Sequence, residues 1–477
     1  MADGKINRPY GGVLLLGIFL TPLLSLGHDY ADGIITAKYF RFAEVVGIGL
    51  LLTWMVAWKR NFQFCFRWVD VGVVLFALYG VGSFLLNDFR GETQTLLLIL
   101  LVGLYFVCRG LGGWKVSQRL LFTFVLLLAG SIEAIWGFLQ VYGWADQYHS
   151  LYRLTGSFFN PGPYSGFLAV ILPVALHTLL GPKPLCRVDK IVYGLGVICL
   201  VSIILVLPAG MSRSAWVAAG AGCGVVVWRQ KRSREYVRRG IGRIGRGWKR
   251  CWLGGILLLG LSIGGGLYLL KKDSADGRLL VWKMDLAVMR SQPWLGVGIG
   301  RYPGALGEAQ AVYFANSPAD PREEYVADAP EYGFNEFLQL GGEYGLIGLC
   351  LFISITGIAS GGLFKRNTQQ TGGVSGALSA FLVFACFSYP LHMLPMAMLF
   401  VLLLAWSVNV GAKGVRIRRW AGQILWLPVM VLGLVAAWRL TEKETAYKTW
   451  KTARAYFRQG DYQEALNRYT SRMAKRS

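Results

Sequence analysis

Residues 191–228 read IVYGLGVICLVSIILVLPAGMSRSAWVAAGAGCGVVVW. Two apolar runs, 191–210 and 214–228, are parted only by Met211, Ser212 and Arg213. A helix needs about 20 apolar residues to cross a hydrocarbon core. A connection this short leaves the second run no course but back alongside the first. The stretch therefore predicts an antiparallel pair of membrane helices with an arginine at its tip. Similar runs lie near 11–27, 44–58, 69–86, 94–113, 119–142, 164–181, 251–270, 344–364, 374–389, 391–410 and 421–439. The fold class is all-α: a polytopic helical integral membrane protein with about 12–13 transmembrane helices, the pair around Pro390 being open to a miscount.

Composition agrees. The chain of 477 residues is 54% hydrophobic and 16% charged, where a soluble domain carries about 25% charged residues. A soluble enzyme, a disordered tail and a disulfide scaffold are excluded. The formal charge is +23, and its distribution orients the chain. With the N-terminus inside, the inner segments hold 27 Lys and Arg and the outer loops 12, the other 10 lying in the tail from Arg439. That bias is the positive-inside rule. The run RQKRSREYVRRGIGRIGRGWKR at 229–250 then reads as a topology determinant touching lipid headgroups, not a nucleic-acid patch. All eight cysteines fall in spans or on the inner side, so no disulfide is expected. The first span reads as an uncleaved signal-anchor.

Two outer segments exceed mere turns, 143–163 and 271–343. The second holds the helical stretch RLLVWKMDLAVMRS, the Gly-rich break LGVGIGRYPG and the acidic SPADPREEYVADAPEYG. Gly296, Gly298, Gly300 and Gly304 imitate a dinucleotide fingerprint, but no strand precedes them, and they read as a bend between helices. The organisation is a transmembrane part, 1–440, and a helical tail, 441–477. The tail pattern A-x-x-x-x-x-Q-G-D-Y-x-x-A-L resembles one tetratricopeptide helix pair. Such a unit cannot bury its apolar face alone, so the tail is expected to pack on the rest of the chain, bind a partner protein or belong to a longer array. A plain amphipathic helical hairpin is the alternative reading.

The chemistry lies at the outer face. Arg153 precedes GSFFNPGPYSG, which holds Asn160. Arg213 tips the turn GMSRSAW, Arg278 opens GRLLVWKMDL, and Asn335, Glu336 and Gln339 lie in FNEFLQLGGEYG. An arginine in a short outer turn is on the wrong side for topology. Its use is an anion, because guanidinium grips phosphate oxygens with a planar fork and stays charged. Headgroup snorkelling is the alternative for each. Glu133, in SIEAIWGF, is the clear mid-span acid and hence a functional candidate. There is no P-loop, no H-E-x-x-H and no Cys/His metal spacing.

RLTGSFFNPGPYSGFLAVILP, SRSAW, GRLLVWKMDLAVMRSQPWLGVGIGRY and FNEFLQLGGEYGLIG, in this order over about 130–400, resemble the O-antigen ligase/polymerase superfamily, which includes bacterial protein O-oligosaccharyltransferases. The resemblance implies metal-independent glycan transfer, with no cofactor, from an undecaprenyl-diphosphate carrier at the periplasmic face of the inner membrane. The acceptor is lipid A-core, another carrier-linked glycan or a protein hydroxyl. It assigns Arg213 and Arg278 to the diphosphate and matches Arg153 and Asn335; with Asn160 and the mid-span acid Glu133 these are the substrate-binding candidates. Glu343 and Gly345 match the family's E-x-G. Phe334 stands where the family carries a histidine, so the general base must be found elsewhere. Glu336 ranks first and Glu331 second, with Asp328 and His149 behind them. A transporter or flippase is the reading from another class, although the two halves show no internal repeat. A partner-binding scaffold accounts for the tail but not for the outer arginines.

Overall fold

The computed structural model describes residues 8–27, 33–59, 65–87, 90–110, 116–149, 151–182, 184–230, 272–316, 320–366, 368–410, 415–416 and 419–470. The expected span at 251–270 and most of the basic run 229–250 lie outside them.

Eight helices come first: α1 (Arg8–Leu24), α2 (Gly33–Lys59), α3 (Trp68–Leu86), α4 (Glu92–Gly110), α5 (Val116–Val141), α6 (Pro161–Leu180), α7 (Arg187–Val206) and α8 (Arg213–Arg229). The outer segment follows as α9 (Lys272–Ser291), α10 (Tyr302–Asn316) and α11 (Pro321–Val326). Then come α12 (Glu336–Phe364), α13 (Thr368–Ala385), α14 (Leu394–Val410), α15 (Arg419–Arg458) and α16 (Tyr462–Thr470). Two short strands, β1 (Cys65–Phe66) and β2 (Val415–Arg416), pair antiparallel. Among the described residues seven helices are long and apolar enough to cross a membrane, and three more are shorter apolar helices. The architecture is an all-α polytopic membrane protein. The runs on either side of Pro390 are two separate helices, α13 and α14, joined by a turn of 3-10 helix at Pro390–His392. Cys386, read from sequence as inside a span, lies just past the end of α13.

The bundle has two chemically distinct ends. At the lower end, Arg109 grips Asp70 with two hydrogen bonds, Nε to Oδ1 at 2.8 Å and Nη2 to Oδ2 at 2.9 Å. Tyr105 donates to the same carboxylate at 2.6 Å, and Arg109 also reaches the carbonyl of Cys65 and the side chain of Asn409. A buried charge pair survives only when its remaining donors and acceptors are satisfied, and here they join α3, α4, β1 and α14. Arg229 similarly donates to the carbonyls of Leu363 and Arg366 and to Thr371, tying α8 to the end of α12 and the start of α13.

The upper end holds the long connections. Segment 143–160 is pinned by α5: Gln140 accepts from the amides of Thr155 and Gly156 at 2.9 and 2.7 Å, and Glu133 accepts from Ser157 N at 2.9 Å. Buried Lys38 donates to the last carbonyls of α1, at Pro22 and Leu23, and to Ser157 Oγ. α12 breaks at Gly345, whose φ of 65° suits a residue without Cβ. A Cβ there would meet the carbonyl oxygen of Trp294 at 2.2 Å. The glycine-rich segment crosses this break as a series of turns, with Gly296, Gly298 and Gly300 all at positive φ. Val297 and Gly298 donate to the carbonyls of Gly342 and Glu343, while Leu346 donates to Pro293. The backbone groups freed by the break are thus paired within the protein, as a bundle at membrane depth requires. The sequence LGVGIG is a bend, as expected, and its function is to serve α12.

α15 runs 40 residues without interruption, about 60 Å at 1.5 Å per residue. The last expected span and the tail are therefore one helix, with no break at residue 440. Beyond its apolar part it packs on α2, where Tyr447 meets Phe40 edge-on, and Lys443 pairs with Glu92 at 2.6 Å. The tail closes as a helical hairpin around Ala453 and Ala465, both buried.

Candidate functional site

Arg213 is the first residue of α8. The chain reaches it through a 3-10 turn at Pro208–Gly210, with Met211 in the left-handed region and Ser212 as N-cap. Arg278 sits in the second turn of α9. It donates from Nη1 to the carbonyl oxygen of Phe387 at 3.0 Å, and its guanidinium carbon lies 5.2 Å from the centre of the Phe334 ring. Neither contact neutralises its charge. Burial, and then the neighbouring charge of Arg213, lower the Arg278 pKa from its ordinary value. Two guanidinium groups from distant parts of the chain therefore feel each other at the upper end. Bringing like charges together costs energy that an anion between them would recover.

A second cluster faces the turn between α13 and α14. Glu336, fully buried in the first turn of α12, accepts from Leu391 N at 2.9 Å through Oε2. Its Oε1 lies 3.1 Å from His392 Nδ1. On the other side of the ring, Nε2 is 2.9 Å from Gln339 Nε2 and 3.4 Å from Glu343 Oε2. Glu343 is itself fixed by Gly300 N, which donates to Oε1 at 2.6 Å. Burial alone would lower the pKa of His392. Glu336 and Glu343 more than reverse this and push it up to about 10.

Aromatic rings separate the two clusters. Tyr332 stacks on Tyr389 at 4.1 Å and 6°, Phe334 meets Tyr389 edge-on at 5.3 Å, and Tyr332 lies 5.9 Å from the His392 ring. Phe334 has φ 50°, an uncommon conformation for a bulky residue and a mark of local strain. Behind His392 opens a cavity of about 260 Å³. Glu336, Glu343, His392 and Gln94 line it at the top, and Leu98, Leu101, Phe400 and Leu404 below. From residue 394 to 404 along α14 it descends about 15 Å at 1.5 Å per residue. It is an apolar slot with a charged head.

Residues 198–353 match the family model described as O-antigen ligase. The match supports the O-antigen ligase/polymerase superfamily, and with it a glycosyltransferase of that general type. No curated protein matches the chain. The matched O-antigen ligase segment contains Arg213, Arg278, Glu336 and Glu343. It ends before His392.

The structure gathers some of the sequence-derived candidates and disperses others. Arg213 lies near enough to Arg278 for its charge to lower the Arg278 pKa, and Glu336 and Glu343 share one imidazole. Asn160 and Asn335 are both N-caps: Asn160 accepts from Gly162 N, and Asn335 from Phe337 N and Leu338 N. Such caps are worth about 1 kcal/mol each, so these side chains set where α6 and α12 begin. Glu133 accepts from the backbone of Ser157 and anchors segment 143–160. Arg153, Glu331 and Asp328 are exposed, Glu331 near enough to Tyr332 to raise its pKa after burial has done so. His149 accepts from Leu151 N and lies beside Tyr152, outside both clusters. His392 escaped the sequence reading. Its signal was a histidine beside Pro390, in a turn between two apolar runs. Nothing local announced that Glu336 and Glu343 would face it.

Proposed function

We propose that the chain is an O-antigen ligase-like glycosyltransferase that moves a glycan from undecaprenyl diphosphate to an acceptor hydroxyl at the periplasmic face of the inner membrane. The charge of Arg213 acting on Arg278 carries this reading. Cleavage of a sugar from a diphosphate builds negative charge on the leaving oxygens, and preorganised guanidinium groups stabilise that charge most where water is sparse. The apolar slot beside the cluster suits a polyprenyl chain, and the stacked Tyr332 and Tyr389 offer a flat face to a sugar ring. The split of basic residues supports placing the upper end, with α9–α11 and the tail, outside, and the N-terminus in the cytoplasm.

The same donor half would serve an O-antigen polymerase or a protein O-oligosaccharyltransferase. Vesicles containing the purified protein and a radiolabelled lipid-linked glycan test the reaction class. Label moved covalently to an acceptor supports the transferase. Label that crosses the bilayer still bound to its carrier would mean a flippase and sink the reading. Gene deletion, followed by profiling of lipopolysaccharide and periplasmic glycoproteins, then separates the acceptors: loss of polymer on lipid A-core, short chains, or bare proteins.

A further inference from the structure

We propose that His392 is the proton acceptor of the transfer step, oriented by Glu336 and received after protonation by Glu343. The inference rests on the transferase reading above and adds a residue outside the segment matched to O-antigen ligase.

The tautomer follows from donor and acceptor accounting. Gly333 N donates to Gln339 Oε1 at 2.9 Å. A backbone N–H must meet an oxygen, so the amide of Gln339 cannot be turned round. Its NH2 group is therefore the atom 2.9 Å from His392 Nε2, and a donor at that distance needs a lone pair opposite. In the neutral ring Nε2 is bare and the proton sits on Nδ1, in ion-pair range of Glu336 Oε1 at 3.1 Å. Below about pH 10 the two carboxylates keep the ring charged, so it serves as a base only after losing the Nε2 proton. A carboxylate on Nδ1 with a lone pair on Nε2 is the arrangement that makes imidazole a general base. The backbone at Gly333 packs closely: a Cβ there would lie 2.5 Å from Tyr302 Oη and 2.8 Å from Asp285 Oδ2. Tyr302 and Asp285 are hydrogen-bonded beneath it.

The Gln339 amide occupies the place of a donor on Nε2, which is where an acceptor hydroxyl would sit. As the hydroxyl oxygen bonds to the anomeric carbon, its proton passes to Nε2. The bond from that carbon to the diphosphate oxygen breaks, and the electron pair leaves with the diphosphate toward Arg213 and Arg278. The new N–H then has Glu343 Oε2 to donate to, at 3.4 Å. Glu336 and Glu343 favour the charged ring, while Gln339 favours the neutral one. The titratable groups facing the ring are Glu336 and Glu343 from α12 and Tyr332 from the preceding loop. The cavity wall adds Tyr39, Tyr105 and Tyr344.

The test uses the full chain in nanodiscs. In protein labelled with 15N-histidine, which has four histidines, the His392 signal is identified by its loss in His392→Gln. We expect it to titrate well above an ordinary imidazole, to carry its proton on Nδ1 when neutral, and to titrate lower in Glu336→Gln. With a lipid-linked glycan donor, His392→Gln is expected to lower kcat by about 10²–10⁴-fold and leave the donor KM within about 2-fold. Free imidazole should restore part of the activity of His392→Ala. The rising limb of the rate against pH should move down in Glu336→Gln together with the NMR midpoint. A neutral ring protonated on Nε2, or wild-type kcat in both His392 variants, overturns the assignment alone. A wild-type protein that transfers nothing overturns the transferase reading as well, and needs no variant to be recognised.

Discussion

Arg278 donates a hydrogen bond from Nη1 to the carbonyl oxygen of Phe387 at 3.0 Å. That bond fastens α9 of the outer segment to the turn that presents His392, so the arginine pair and the acid–imidazole cluster share one support. Displacement of α9 would disturb both at once.

Charge alone does not describe the arginines. Arg213→Lys and Arg278→Lys keep the positive charge and lose the planar fork. Each is expected to insert and fold normally and to lose at least about 10²-fold in kcat, the scale of one lost transition-state donor. Arg278→Lys also loses its stacking on Phe334. Transfer assays on monodisperse protein check this, and near-wild-type rates in both variants would return these residues to headgroup snorkelling.

The orientation is open to direct measurement. Asp320 is exposed at the start of α11. A cysteine placed there should react with a membrane-impermeant maleimide in intact spheroplasts. Labelling confined to lysed cells would invert the topology.

Asp285 should leave a mark on stability. Its carboxyl is buried under Gly333, and burial pushes its pKa up to about 7 despite the hydrogen bond from Tyr302. A carboxyl whose folded pKa exceeds its unfolded one favours folding while protonated. That contribution is complete below the unfolded pKa, about 3.9 for Asp, and is lost as pH rises through about 7. The melting temperature in detergent is therefore expected to fall across this window, and Asp285→Asn to flatten the fall. Equal slopes in the two proteins would show that Asp285 does not titrate there.

Glu133 is expected to act on structure before substrate. Glu133→Ala removes the acceptor for Ser157 N and leaves that amide buried, a loss of about 1–3 kcal/mol. Thermal stability should drop while the donor KM holds. A raised KM with unchanged stability would instead put Glu133 in contact with the carrier.

The amino-acid sequence by itself determined the membrane-spanning class, because covering a hydrocarbon core demands apolar runs of a fixed length and no tertiary partner changes that demand. It also placed Arg213 at the tip of its turn, since a charge between apolar runs has nowhere else to go; Arg278, expected to open its helix, sits instead in the second turn of α9, which begins at Lys272. It could not place Glu133, Asn160 or Asn335: whether a polar side chain binds a substrate or a neighbouring amide depends on which backbone ends up opposite. The base was least legible of all. Phe334 stands at the position where an imidazole was sought, and the imidazole arrives on the α13–α14 turn, brought against Glu336 and Glu343 by the packing of α12 on α14. Contacts between residues far apart in the chain carry no periodicity or spacing to read. Only the tertiary structure decided that His392 completes the cluster.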